Sequence, residues 1–391
     1  MSLKHRFLAA LALAACAMLA LPRSSGADQP PLRVGFVSTF SGFFTEEGKA
    51  ADAAVAAFIK EHGDSVAGRK LVIIKRDDGK LAPDTARRLA QELIVNDHVD
   101  FLMGLISSPN AKAVGMVSTA AKKPTFFLNA GYGLLEGNPY TARFGFGQAQ
   151  LIYPLADWAL KNNIKTVSLI YLNFSAGLDA ASSFRTAFTA GGGKISDEVA
   201  VPVNATDFSA YIQRIRESKP QAVFIFLTSQ SPSFIKEWHN SGLQQSGIKL
   251  LATAETNELE LPVLGDDALG IYTAQNYSAA HNSKLNKELT RDMHASDPSI
   301  PSPDFYTVAT YDALQAIYKV TAEQKGVIDP DKTMALVKGM KLESPRGPIE
   351  IDPRTRDIIQ NIYIRRVDKV NGTLQNTEIA VYPHVKDPLE Q

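Results

Sequence analysis

Short apolar runs alternate with amphipathic helical patterns along most of this chain, and the alternation runs through once and then starts again. Leu32 to Val37 reads as a strand, and Ala51, Ala54, Val55, Phe58 and Ile59 then recur at helical spacing. Leu71 to Ile74 is a second strand. A helix follows from Pro83, with Ala86, Leu89, Ala90, Leu93 and Ile94 on one face and the proline suited to its first turn. Asp100 to Met103, Ser108 to Ala121 and Pro124 to Leu128 continue as strand, helix and strand. This rhythm predicts right-handed βαβ units, hence a parallel sheet covered by helices on both faces.

The second pass opens with a helix over Gln150–Leu160 and an apolar strand over Thr166–Tyr171. A helix over Ala176–Ala190 stops at Gly191-Gly192-Gly193. Strands at Ile195–Val201, Ala222–Leu227 and Ile248–Leu251 alternate with helices at Phe208–Glu217 and Ser231–Ser241. Beyond Asn276 come helices near Lys284–Ala295, Tyr306–Gln324 and Asp331–Met340, then extended segments such as Ile359–Ile364. No low-complexity linker separates the two α/β units, so they are expected to be closely joined.

The first 27 residues carry a different signal. Lys4, His5 and Arg6 precede an apolar stretch from Phe7 to Leu21, and Ser25-Gly26-Ala27 offers small residues for cleavage. The stretch has the length of a secretory h-region and is too short to span a bilayer, so residues 1–27 read as a signal peptide and the mature chain is expected to start at Asp28, in the periplasm. Leu13-Ala14-Ala15-Cys16 resembles a lipobox, but the apolar run continues past it and the site at Ala27 is better placed, which favours release over a lipid anchor at Cys16. No later stretch approaches ~18 consecutive apolar residues. Cys16 is the only cysteine, so the mature chain is expected to use no disulfide, thiol or cysteine–zinc chemistry. Lys plus Arg and Asp plus Glu both number 41. With no basic excess to neutralise phosphates, nucleic acid is not an expected partner.

Motifs of catalysis are missing. There is no phosphate loop, no Gly-x-Ser-x-Gly and no His-Glu-x-x-His. Gly131-Tyr132-Gly133 and Gly145-Phe146-Gly147 begin like dinucleotide fingerprints, but positions 136 and 150 are Glu and Gln. His239 and His281 are the histidines to consider near a cleft, and a surface role is the default for each. Asp77-Asp78 and Asp266-Asp267 read as solvated turn carboxylates. No cofactor, metal site or enzymatic activity is expected.

Six segments in series carry a resemblance. They are Val34 to Gly42, Arg76-Asp77-Asp78 with Pro83 to Ala86, Gly104 to Ser108, Tyr140 to Phe144, Thr206 to Ser209, and Thr310 to Leu314. Together they resemble solute-binding proteins of the leucine/isoleucine/valine-binding type, the extracytoplasmic receptors of ABC importers. The resemblance implies the type I periplasmic-binding-protein fold: α/β, two Rossmann-like lobes with a central ligand cleft. The expected division is 30–148 plus 278–355 for lobe one and 149–277 plus 356–391 for lobe two. It also implies delivery of a small solute to an ABC permease in the membrane. A branched-chain or other apolar amino acid is the leading ligand. An aromatic or other amine-free carboxylate is the alternative. A sensing subunit uncoupled from transport and a hydrolase on the same lobes are further readings.

In open α/β sheets ligands lie beyond the carboxyl ends of strands. That places the site on the loops Ser41–Phe44, Ser107–Asn110, Asn129–Tyr132, Leu172–Ser175, Thr228–Gln230 and Ala254–Asn257. Candidate contacts there include Ser107, Thr228 and Ser229. Ser108 matches the serine that holds a ligand carboxylate in the family, and it also reads as a helix N-cap. Asn129-Ala130-Gly131 falls where amino-acid binders often carry Ala-Ala-Thr or Ala-Ser-Thr, so a hydroxyl is missing at Gly131. Phe174 matches a position that is often tyrosine, and Glu255 matches the acid that pairs with a substrate ammonium. Phe43, Phe44, Tyr132, Phe305 and Tyr306 are candidates for an apolar or aromatic wall.

Overall fold

The computed structural model describes residues 29–41, 45–79, 82–128, 131 and 133–389. The segment read as a signal peptide, with Cys16, lies outside the described residues, as do Phe43, Phe44, Asn129, Ala130 and Tyr132.

The first pass of the chain builds β1 (Leu32–Ser38), α1 (Thr45–His62), β2 (Ser65–Val66), β3 (Arg69–Asp77), α2 (Pro83–Val95), β4 (Phe101–Gly104), α3 (Ser108–Ala121), β5 (Thr125–Phe127) and β6 (Thr141–Arg143). These strands form one sheet in the order β2-β3-β1-β4-β5-β6, parallel except for the short β2. β1 sits at the centre with its successors on opposite sides, so the crevice of an open α/β sheet opens above it. Burial explains the reading: all four residues of β4 are inaccessible, as a strand covered on both faces requires. Ala50, Ala51, Ala53, Ala54 and Ala57 give α1 a smooth buried face.

The second pass builds α4 (Gln148–Lys161), β7 (Thr166–Leu172), α5 (Ser175–Ala190), β8 (Lys194–Val201), α6 (Ser209–Ser218), β9 (Ala222–Phe226), α7 (Ser231–Asn240), β10 (Lys249–Ala252), the single turn α8 (Leu261–Leu264) and β11 (Tyr272–Gln275). The chain then returns to the first unit as α9 (Lys284–Ser296), α10 (Phe305–Glu323) and α11 (Pro330–Val337). Both α9 and α10 pack on α1. Side-chain caps define the starts of these three helices: Ser283 accepts from Asn286 N–H, Asp304 from Thr307 N–H and Asp329 from Lys332 N–H.

The last segment is β12 (Lys341–Leu342), β13 (Ile349–Ile351), β14 (Ile358–Val370) and β15 (Thr373–Val385). The second sheet runs β12-β13-β14-β11-β10-β9-β7-β8, with β15 on β14. Residues 341–351, read from the sequence as part of the first unit, therefore pair with the second sheet. β12 to β15 form antiparallel ladders with their neighbours, which periodicity tuned to parallel units does not anticipate. Asn371 and Gly372 both have positive φ, 51° and 84°, the turn that closes a two-residue hairpin.

The described chain passes between the two units three times, after β6, after β11 and after α11. Polar groups buried at these passages hold them together. Arg346, fully buried, donates from Nε and Nη2 to Asp312 Oδ2 at 3.0 and 2.6 Å, and from Nη2 to the Phe144 carbonyl at 2.6 Å. The Gly145 carbonyl accepts from Gln360 Nε2 at 3.0 Å and from Arg346 Nη1 at 3.4 Å. Asn276 Nδ2 joins them through Gln360 Oε1 at 3.0 Å. Each passage thus contributes to one hydrogen-bonded knot.

Candidate binding cleft

In the first unit the strand ends create the site by close backbone approach. Gly104 has φ 113°, and a Cβ there would stand 2.1 Å from the Val37 carbonyl, so only glycine fits. Leu105 follows at φ 69°, an outlier for a leucine, and its N–H donates to the same carbonyl at 2.7 Å. Two consecutive left-handed residues swing the chain out of β4 and start α3. The N-cap of α3 is Ser107, and Ser108 is the first helical residue. The Ser107 hydroxyl is buried, makes no capping bond, and finds no hydrogen-bond partner among the described residues. A buried hydroxyl in that state marks a place where another polar group is missing.

Asp78 is the residue that the sequence reading got wrong. It is 2% exposed rather than solvated: its Oδ1 accepts from Thr39 Oγ1 at 2.6 Å and its Oδ2 from Asn110 Nδ2 at 2.8 Å. It ties the end of β1 to the first turn of α3, and so fixes the loop that carries Ser107 and Ser108. Asp266 and Asp267 behave as expected and stay partly exposed, with Lys369 and His239 near them.

Gly131 lies against Ser108. A Cβ built on it would stand 2.6 Å from Ser108 Oγ, 2.7 Å from Ser108 Cβ and 3.0 Å from Leu134 Cδ1. Its carbonyl accepts from Arg143 Nη1. Arg143, fully buried, is itself held by Asp357, with Nε donating to Oδ1 at 2.7 Å.

In the second unit Glu255 joins two strand ends. Its Oε1 accepts from Leu227 N–H at 3.2 Å, just after β9, and its Oε2 from Thr253 N–H at 2.9 Å, just after β10. It is 5% exposed, and burial raises its pKa against the lowering effect of those backbone bonds. Thr228, next to Leu227, has φ 47°, a strained conformation for a β-branched residue. Thr228 and Ser229 are exposed on the short 3-10 turn that follows. Phe174, the residue before α5, is 36% exposed, with its ring centroid 6.4 Å from that of Phe226.

Phe305 sits beside two of the predicted loops, since its neighbour Tyr306 donates from its hydroxyl to the Ile106 carbonyl at 3.3 Å, one residue before Ser107. It is buried between Phe146, at 5.3 Å, and Tyr306, at 4.6 Å between centroids, and so belongs to the packing beside the passage after β6. Preceding it, Asp304 accepts from Asn257 Nδ2 at 3.3 Å, a direct bond between the two units. Burial pushes Asp304 up to about 6 and Glu47 up to about 7, and the charge of nearby acids, Glu258 for the first and Asp304 for the second, adds to each rise. His281 is paired with Glu378 at 2.9 Å and packs on Tyr363. Among the described residues no cluster of three or more His, Cys, Asp or Glu is arranged to hold a metal, and no helix is long and apolar enough to cross a membrane.

Two sheets with parallel central strands, joined three times, with strained loops and buried polar groups at the carboxyl ends of those strands, define a two-unit binding protein. A family model described as periplasmic binding protein matches residues 31–373. A Leu/Ile/Val-binding protein homolog of Brucella suis is 35% identical over 383 residues, covering 97% of this chain and 98% of the relative. A solute-binding protein of an ABC transporter from Rhodopseudomonas palustris BisB5, solved with 3,4-dihydroxybenzoic acid, is 41% identical with a TM-score of 0.85, covering 92% of this chain and 99% of the other. Another from strain HaA2, solved with p-hydroxybenzoic acid, is 35% identical with a TM-score of 0.87 over the same shares. The chain belongs to the periplasmic binding protein family, in its type I form. It is an ABC transporter solute-binding protein, and the family is one of extracytoplasmic receptors rather than enzymes.

Proposed function

We propose that this receptor captures a planar aromatic carboxylate without an amine, in the class of hydroxybenzoates, between two lobes built on the two sheets, and hands it to an ABC permease. The observation that carries the reading is the state of Glu255. The acid expected to meet a ligand ammonium already accepts one backbone amide on each oxygen, from Leu227 and from Thr253. It braces two loops, and burial raises its pKa against the lowering effect of those bonds.

Three further facts support the choice. No hydroxyl stands at position 131 to help bind an amine. The half-exposed ring of Phe174 beside Phe226 suits stacking on a flat ligand. The unpartnered Ser107 hydroxyl and the start of α3 suit a carboxylate. Relatives at 41% and 35% identity were solved with such acids. The binding of an amino acid, the leading expectation from the sequence, is the reading set aside here.

The test is mass spectrometry of the ligand carried through gentle purification from cells grown with a mixture of aromatic acids and amino acids. Stoichiometric recovery of an unaltered aromatic acid is expected. Recovery of leucine, isoleucine or valine would overturn the reading, and a cleaved product would point to hydrolysis instead.

A further inference from the structure

At the amino ends of β10 and β11, away from the loops of the cleft, the second sheet comes apart. β10 pairs with β9 from Lys249 onward, but with β11 only from Leu251. β11 is extended towards β14 instead: Gly270 N–H donates to the Val367 carbonyl at 2.9 Å, and Val367 N–H to that of Ile271 at 3.0 Å. Gln244 crosses the gap, its Nε2 donating to the Leu269 carbonyl at 2.6 Å. Gly270 makes room for it, since a Cβ there would stand 2.6 Å from Gln244 Nε2. What remains between the splayed strands is a cavity of about 350 Å³, a volume in the range of small-molecule sites. Its lining is one-sided in charge. Lys249 and Arg366 belong to it, and among the described residues no Asp or Glu does. Arg366 is already paired with Asp368 at 2.7 Å. Lys249 has no carboxylate partner among the described residues; its Nζ lies 5.5 Å from the centre of the Tyr272 ring, which packs on Trp158. Ile248, Leu250 and Ile271 make part of the wall apolar. Trp238, wholly buried in that wall, has an indole N–H with no hydrogen-bond partner among the described residues.

We propose that this cavity is a second binding site, separate from the cleft, for a small organic monoanion: a carboxylate on a compact apolar group, with Lys249 as its counter-ion. One unpaired ammonium matches one negative charge, and the apolar wall rewards a hydrocarbon body that a bare inorganic anion lacks. A neutral ligand of the same shape forgoes the ammonium. The site does not depend on which acid the cleft holds.

Fluorine NMR tests this, because the chain has only two tryptophans, Trp158 and Trp238. Protein carrying fluorotryptophan gives two resonances, which a Trp158→Phe variant assigns, and Trp238 reports on the cavity. Calorimetry first identifies whether 4-hydroxybenzoate or leucine fills the cleft, and that ligand is then kept at saturation throughout. Benzoate is the probe, with benzamide as the neutral control and sulfate as the inorganic one. A saturable shift of the Trp238 resonance with benzoate alone is expected, about tenfold weaker in Lys249→Met and restored in Lys249→Arg. Lys249 is half-buried at the start of a strand, so both variants are expected to fold, and melting curves check it. No saturable shift, an affinity unchanged in Lys249→Met, or an equal response to benzamide or sulfate would overturn the proposal. A cleft filled by leucine rather than by 4-hydroxybenzoate would overturn the functional reading and leave this one standing.

Discussion

Replacing Arg346 by methionine should unfold this protein far more easily than any surface change. Both members of the Arg346–Asp312 pair are wholly inaccessible. Burial lowers the guanidinium pKa and raises that of the carboxyl, each opposed by the partner's charge. Removing the arginine leaves Asp312 with Ser344 Oγ as its remaining donor, at 2.8 Å, and strips the Phe144 carbonyl of a 2.6 Å bond. Breaking a buried pair from one side costs about 3–5 kcal/mol. Replacing both partners, Arg346→Met with Asp312→Leu, should restore most of that loss, because no charge is left stranded. The single variant should also recover as the pH falls. A carboxyl whose folded pKa is raised contributes stability that is fully present below its unfolded pKa and is lost as the pH rises through the folded one, and without Arg346 that rise is larger. Denaturant unfolding of the three variants between pH 4 and pH 8 measures all of this. A loss under about 1 kcal/mol in Arg346→Met, or additive losses in the double variant, would refute the reasoning.

Asp78→Ala removes two bonds to a buried carboxylate, and should cost about 3 kcal/mol or more by denaturant unfolding and weaken ligand binding measured by calorimetry. Phe174→Ala, at a partly exposed position, should leave the melting temperature nearly unchanged while weakening aromatic acids about tenfold. Asp304 is held at about 6 by burial, so its contribution to stability is present below about pH 4 and is lost as the pH rises through about 6. Asp304→Asn keeps the helix cap and should flatten that part of the melting temperature against pH profile.

The strand–helix rhythm was legible because parallel strands buried on both faces are continuous apolar runs. Ser108–Ala121 has the ends that its sequence suggested, and Thr166–Tyr171 differs by one residue. The antiparallel end of the chain was less so. Ile359–Ile364 reads as extended, but the signal for its partner strand is the Asn371-Gly372 pair, whose consecutive positive φ values demand such residues. At the cleft, position along the chain identified loops but not burial. Asp78 looks like any turn aspartate until Thr39 and Asn110, far apart in sequence, close over it. Ser107 rather than Ser108 stands at the N-cap position of α3, and its hydroxyl makes no capping bond. Arg143, Arg346 and Arg365 could not be told from surface arginines, since their partners Asp357, Asp312 and Glu258 are distant in sequence.

The central claim concerns which small acid the cleft closes on. Calorimetric titration of the ligand-stripped protein with 3,4-dihydroxybenzoate and, separately, with leucine tests it most directly. The account predicts saturable one-to-one binding of the aromatic acid, tighter than leucine by about 100-fold or more, the scale set by a few kcal/mol of stacking and carboxylate recognition. Leucine binding as tightly as the aromatic acid, or more tightly, would contradict it.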